Sequence, residues 1–315
     1  MKYDFYAELA SLRFCPESGA LPKNLANARV DGCTVWFAQA GIERAQGKRE
    51  AEQTKAEVRT CYMNWAKTAK INILSELAKC FDLTRCVLQP DWLALAVSFT
   101  LKRPWYSKDD RPFHVLDNPV RKDRVFGVPY MAAASWKGML RWACRMQEGL
   151  REYLRKNKGK FDGWQDPDWI THLFGNEQGE EERFHRGALV FYPTWFDRIS
   201  FEVINPHSRK RRAGTKPIYY EVVPAGVRGT MCLLYAPWPG MEPKASPRVF
   251  LPKLFEAMGQ LLTRYGISAK RTAGWGTAKI DEWKAYGKGK DPVSRSERVA
   301  LWNEIQNWFD SGGSL

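Results

Sequence analysis

D-W-L-A-L-A-V-S-F-T-L-K, residues 91–102, is the stretch on which the fold turns, with Leu93, Leu95, Val97, Phe99 and Leu101 recurring at every second position. A period of two places those side chains on one face of an extended chain, so the run reads as the first strand of a sheet. After Ser135 the period changes. Trp136, Met139, Leu140, Ala143, Leu150 and Leu154 follow a helical spacing, which predicts a helix over 136–156 with Ser135 as its N-cap. Further strands are expected at G-A-L-V-F-Y (187–192), I-Y-Y-E-V-V (218–223) and T-M-C-L-L-Y (230–235), the last two separated by the turn P-A-G-V-R-G. Leu254, Met258, Leu261, Leu262 and Tyr265 mark a second helix, which Gly266 ends by accepting a left-handed conformation. A-K-I-D-E-W at 278–283 closes the set. The order β-α-β-β-α-β, interrupted by long insertions, predicts an α+β chain with a ferredoxin-like (RRM-like) core over residues 91–286. The aromatic RNP signature of an ordinary RNA-recognition motif is missing.

The flanks read differently. Val58, Tyr62, Trp65, Ala69, Ile73, Leu77 and Phe81 run at three-to-four spacing through a charged background, so residues 1–90 are expected to form a mainly helical appendage. Residues 287–315 open with the linker G-K-G-K-D-P and continue into a helix carrying Val299, Trp302, Ile305 and Phe309, followed by a flexible S-G-G-S-L.

Composition narrows the partners. The 315 residues hold 49 Lys and Arg against 35 Asp and Glu, a formal charge of +14 that attracts a polyanion. Fourteen Trp, 12 Tyr and 16 Phe exceed the needs of a core this size, and several stand beside Arg or Lys, as stacking on single-stranded nucleic acid requires. Most of these rings still belong to the core. Seven scattered cysteines without a C-x-x-C pair exclude a disulfide framework and a zinc finger, and fit a reducing cytoplasm. The start lacks a basic and apolar leader, and no stretch approaches about twenty apolar residues, so a soluble cytoplasmic protein without a membrane span is expected. No Ser-His-Asp, Walker or H-E-x-x-H pattern is present.

Three motifs carry chemistry. In L-D-N-P-V-R-K-D-R-V-F-G-V-P-Y-M-A-A-A-S-W-K-G-M-L-R (116–141), Ser135, Lys137 and Gly138 stand at a helix start, where free N–H groups favour a phosphate. Lys137, Arg141 and Arg145 then repeat every four residues as a basic stripe, although a solvated helix face has the same appearance. L-F-G-N (173–176) precedes R-G-A-L-V-F (186–191) across an acidic loop. In K-R-T-A-G-W-G-T-A-K-I (270–280), Gly274 and Gly276 flank Trp275 and let a backbone approach a ligand, with Lys270 and Arg271 just before them; a plain turn is the alternative. S-R-K-R-R adds Arg209, Lys210, Arg211 and Arg212 as a basic loop that either follows RNA or is merely exposed.

In this order the motifs resemble those of backbone-type subunits of type III CRISPR effector complexes, in the RAMP superfamily, over residues 91–286. The family pattern has Pro-Gly-Ser-Ser where this chain has Ala132 to Ser135, and glycines where it has Lys270 and Arg271, which shifts phosphate contacts toward side chains. The resemblance implies a subunit that binds guide RNA along its backbone and cleaves guide-paired target RNA, alongside other effector subunits and further copies of itself. It places the catalytic acid on Asp117, with Mg2+ or another divalent metal held there, and His114 stands three residues earlier to assist. Read without the family, Asp117 before Asn118-Pro119 makes an Asx-type turn. E-V-I-N-P-H (202–207) resembles the non-cleaving subunits that terminate such filaments, which gives the alternative of a capping, non-catalytic RNA-binding subunit. The N-terminal ninety residues have no counterpart in a minimal backbone subunit and resemble a fused small-subunit module.

Overall fold

The computed structural model describes residues 59–60, 62–64, 66–67, 71, 73, 88–109, 116–123, 127–176, 185–205, 217–240 and 243–310. Residues 1–58 of the expected appendage, the acidic loop at 177–184 and the S-G-G-S-L tail lie outside them. In chain order the elements are β1 (Leu93–Leu101), β2 (Tyr130–Met131), α1 (Ala133–Gln147), α2 (Leu150–Lys156), α3 (Asp168–Phe174), β3 (Leu189–Phe191), β4 (Thr194–Trp195), β5 (Ser200–Ile204), β6 (Ile218–Val222), β7 (Arg228–Tyr235), α4 (Pro247–Gln260), β8 (Ala278–Gly287), β9 (Val293–Arg295) and α5 (Arg298–Asp310). Contacts group the chain into two units. The first joins the described residues up to Ile73 with Pro104–Tyr130 and Phe196–Val227, and the second holds Leu74–Arg103, Met131–Trp195 and Arg228–Leu315. This grouping interleaves along the chain, whereas the sequence divides it linearly at residues 90 and 286.

The second unit is built on a five-stranded antiparallel sheet ordered β3-β7-β1-β8-β9. β1 lies at its centre because both faces of its first half are apolar. Leu93, Leu95, Val97, Phe99 and Leu101 are each at most 1% exposed, and on the other face Ala94 and Ala96 pack with Leu88, Cys232 and Leu234. Phe99 meets Trp136 of α1 edge-on at 6.2 Å, and Trp283 of β8 meets Phe255 of α4 at 6.0 Å, so α1 and α4 cover one face of the sheet. The Trp136 indole donates to Thr194 Oγ1 at 3.0 Å, and that hydroxyl donates to the Thr230 carbonyl at 2.6 Å. A large aromatic is thereby buried without an orphaned donor.

Four local expectations change. α1 begins at Ala133 after extended Ala132, with no side-chain cap, so Ser135 sits inside the first turn and is not the N-cap. The predicted helix over 136–156 is two helices, because Gly149 takes φ +92° between α1 and α2. The strand at 218–223 does not join the central sheet: β6 pairs antiparallel with β5 in a two-stranded sheet of the first unit. P-A-G-V-R-G shows that the chain turns there; it does not show that the flanking runs pair. On α5 the buried residues are Leu301, Ile305 and Trp308, while Val299 is 58% exposed. Both series have helical spacing through Ile305, and packing selects between them.

The second helix ends as expected. α4 starts at Pro247 with Ser246 Oγ accepting from the Arg248 N–H, runs on through a π-helical turn at Leu261–Tyr265, and stops at Gly266 with φ +78°. Among the described residues no helix is long and apolar enough to cross a membrane.

Candidate nucleic-acid interface

In the second unit, α1 presents Lys137 and Gly138 to solvent, and a Cβ at 138 would meet nothing within 4 Å. Partial desolvation, and then the Arg141 guanidinium, hold the Lys137 ammonium below its ordinary pKa. Arg141 and Arg145 of the basic stripe are engaged within the protein. Arg141 Nε donates to Asp166 Oδ2 at 2.8 Å, Arg145 Nε to Oδ1 at 2.6 Å, and Arg145 Nη2 to Oδ2 at 2.7 Å. Trp164 Nε1 also donates to Oδ1, at 2.8 Å. Burial alone would raise the Asp166 pKa, but the hydrogen bonds from Arg145, Trp164 and Arg141 outweigh it and keep the carboxyl below its usual range. One carboxylate therefore offsets part of the stripe's charge and fixes both guanidiniums. Arg145 also lies 5.0 Å over the Phe161 ring.

The glycine loop reaches the same helix. The Arg271 guanidinium stacks 4.5 Å over Trp142 of α1, and its buried Nη1 has no hydrogen-bond partner among the described residues. Tyr265 meets Trp142 edge-on at 4.9 Å, and Arg264 lies 5.9 Å over Tyr265. Trp142 is thus the point where the motif containing Lys137 and Gly138 meets the one containing Lys270 and Arg271. The sequence places Tyr265 only as a helix-face residue and gives no role to Trp142 or Arg264; the available signal was the adjacency of Trp142 to Arg141, an aromatic beside a cation. The two glycines differ. Gly274 (φ +76°) is exposed with nothing within 4 Å of a Cβ, which leaves its backbone open. Gly276 (φ +78°) is buried, and a Cβ there would lie 2.4 Å from the Ser268 backbone nitrogen. Its small size serves close approach of two chain segments, and a ligand is not needed to explain it. Trp275 between them is half-buried.

Asp117 belongs to the first unit. Its carboxylate is 74% exposed, directly after buried Leu116. The loop is pinned to β6: the Glu221 N–H donates to the Asn118 carbonyl at 3.0 Å, Asn118 Nδ2 to the Tyr219 carbonyl at 3.3 Å, and the Val120 N–H to Glu221 Oε2 at 3.0 Å. Glu221 is fully buried and pairs with Lys122 Nζ at 2.7 Å. Tyr62, helical with its described neighbours 59, 60, 63 and 64, donates its hydroxyl to Glu221 and accepts from Lys122 Nζ at 2.8 Å. Arg59 Nη2 stands 4.0 Å from Asp117 Oδ2. Among the described residues no three His, Cys, Asp or Glu side chains group to hold a metal ion. His114, Arg209, Lys210, Arg211 and Arg212 lie outside the described residues.

His172 and His185 are buried in the second unit. Burial, followed by His185 and Lys244, lowers the His172 pKa to about 4. His172 Nε2 lies 3.0 Å from the Tyr235 hydroxyl, so this imidazole is part of the packed interior.

No curated protein matches the chain. Among solved structures it is similar to a chain of the type III-B Cmr-beta complex bound to cognate target RNA, determined by cryo-EM, at 16% identity and a TM-score of 0.50, covering 81% of this chain and 79% of that one. At that identity the likeness is one of fold. The model of the RAMP superfamily matches residues 78–279, more than half of the chain and all but the last residue of its three motifs. The chain belongs to the RAMP superfamily.

Proposed function

We propose that this chain is a subunit of a type III CRISPR RNA-guided effector complex, that it binds guide RNA through α1 and the 270–276 loop of its second unit, and that it cleaves guide-paired target RNA with Asp117. The observation that carries the reading is the meeting of two basic segments at Trp142, where Arg271 stacks on an indole of the same helix that exposes Lys137 and Gly138. Cations, an aromatic surface and open backbone together suit a single RNA strand, and contacts of this kind hold phosphates without reading bases. Family membership and the target-RNA-bound state of the similar Cmr-beta chain support the same kind of assembly, with guide RNA, target RNA, other subunits and further copies as partners. A ferredoxin-like core is the finer reading of the fold. Its support is the path β1-α1-β3-β7-α4-β8 with the sheet ordered β3-β7-β1-β8.

For cleavage, the Asp117 carboxylate takes the proton of a ribose 2′-hydroxyl as that oxygen attacks the neighbouring phosphorus. The P–O5′ bond breaks, water protonates the leaving oxygen, and a 2′,3′-cyclic phosphate and a 5′-hydroxyl result. A divalent ion, when bound, supplies charge neutralisation at the phosphate. One exposed carboxylate suits Mg2+, which keeps several waters and takes few protein ligands beside phosphate oxygens. A capping, non-cleaving role is the second reading, favoured by E-V-I-N-P-H, whose first three residues lie in β5.

Lys137→Glu with Lys270→Glu tests RNA binding, leaving Arg141 and its Asp166 contact intact. Affinity should fall equally for unrelated guides, and the logarithmic salt slope should become shallower by about two units. A folded double variant with unchanged affinity and slope would refute the path. Asp117→Ala should stop cutting while RNA binding persists, and native mass spectrometry should count several copies per guide; a single copy favours the cap.

A further inference from the structure

One buried acid holds Asp117 and Arg59 together. Glu221 fixes the loop of Asp117 through its own N–H to the Asn118 carbonyl and through Oε2, which accepts from the Val120 N–H, both at 3.0 Å. Its Oε1 accepts from Tyr62, one turn after Arg59, and from Lys122. Tyr62 and Ala66 are 2% and 1% exposed, so these helical residues are seated by packing as well as by this network. Arg59 is brought beside Asp117 without being hydrogen-bonded to it, since 4.0 Å exceeds hydrogen-bond distance. The Arg59 side chain is 24% exposed, and its buried Nε has no hydrogen-bond partner among the described residues. A constrained guanidinium thus borders a largely exposed carboxylate.

We propose that Arg59 is a further catalytic residue, binding the non-bridging oxygens of the phosphate at which Asp117 promotes cleavage. A guanidinium matches two phosphate oxygens at once and keeps its proton throughout, so it stabilises charge developing on those oxygens while Asp117 handles the proton. The role rests on the cleavage reading given above. Arg59 precedes residue 78, where the family match begins, so this contribution comes from the chain's own N-terminal segment.

The test compares the full chain, assembled with guide and target RNA, as wild type, Asp117→Ala, Arg59→Ala and Arg59→Lys, in single-turnover cutting, target binding and thermal melting. Arg59→Ala should cut about a hundred- to a thousand-fold more slowly. Target affinity and melting temperature should be retained, lysine should restore part of the rate, and added methylguanidinium should rescue Arg59→Ala. If Asp117→Ala is dead while Arg59→Ala cuts at the wild-type rate, the role of Arg59 is wrong and the cleavage reading stands. A slow Arg59→Ala that neither lysine nor methylguanidinium improves also overturns it, as a structural residue would behave that way. If Asp117→Ala cuts normally, or the wild type does not cut, the cleavage reading fails and the role of Arg59 falls with it.

Discussion

Glu221→Gln removes one charge and almost no volume, and leaves the Lys122 ammonium, 3% exposed, facing a neutral amide. Breaking a buried ion pair by changing one partner costs about 3–5 kcal/mol, because the remaining charge stays desolvated. The local consequence is calculable. Amides whose opening requires this network, namely Val120 N–H to Glu221, Glu221 N–H to Asn118 and Val223 N–H to the Trp105 carbonyl, lose that much protection. At about 1.4 kcal/mol per decade, 3–5 kcal/mol predicts exchange faster by roughly two to three and a half orders of magnitude. Hydrogen exchange read by mass spectrometry on peptides covering 116–123 and 217–224 measures it, with peptides of the central sheet as the internal reference. Adding Lys122→Met should recover most of the loss, since the orphaned charge is then gone. Acceleration below ten-fold in Glu221→Gln would refute the account, showing that water reaches Lys122 or that the pair contributes little. The variant should also cut poorly with Asp117 intact, because the loop has lost its pins.

Three further outcomes are expected. The His172 imidazole is neutral in the fold, with a pKa lowered from 6.5 to about 4, and it faces His185, Lys244 and the Tyr235 hydroxyl. Its contribution is complete above pH 6.5 and lost as pH falls toward 4, about 3 kcal/mol in all, so melting temperature should drop over that window and His172→Phe should flatten the drop. Gly274→Ala should lower stability by about 1 kcal/mol for its left-handed backbone alone, whereas Gly276→Ala adds a clash with Ser268 and should lower it by several; equal melting temperatures would contradict the geometry. Asp166→Asn should leave Arg141 and Arg145 less neutralised and steepen the salt dependence of RNA binding, as seen by titration at two ionic strengths.

Much of the fold is written locally. Period-two alternation at Leu93–Leu101 found β1, helical spacing at Leu254–Tyr265 found the second half of α4 and its π-helical turn, and Gly266 marked a stop, because the backbone repeat alone decides which side chains share a face. The basic surplus and the motifs around Lys137 and Arg271 were equally legible, since charge and glycine freedom are properties of single residues. What the sequence by itself could not determine is pairing across distance. β6 seeks β5 instead of the central sheet, Asp166 claims both Arg141 and Arg145, Arg271 finds Trp142, and Glu221 draws Arg59 to Asp117. Tertiary structure decides these because each is a competition among many partners of the same type for one desolvated position, and burial, which no local pattern encodes, sets the winner.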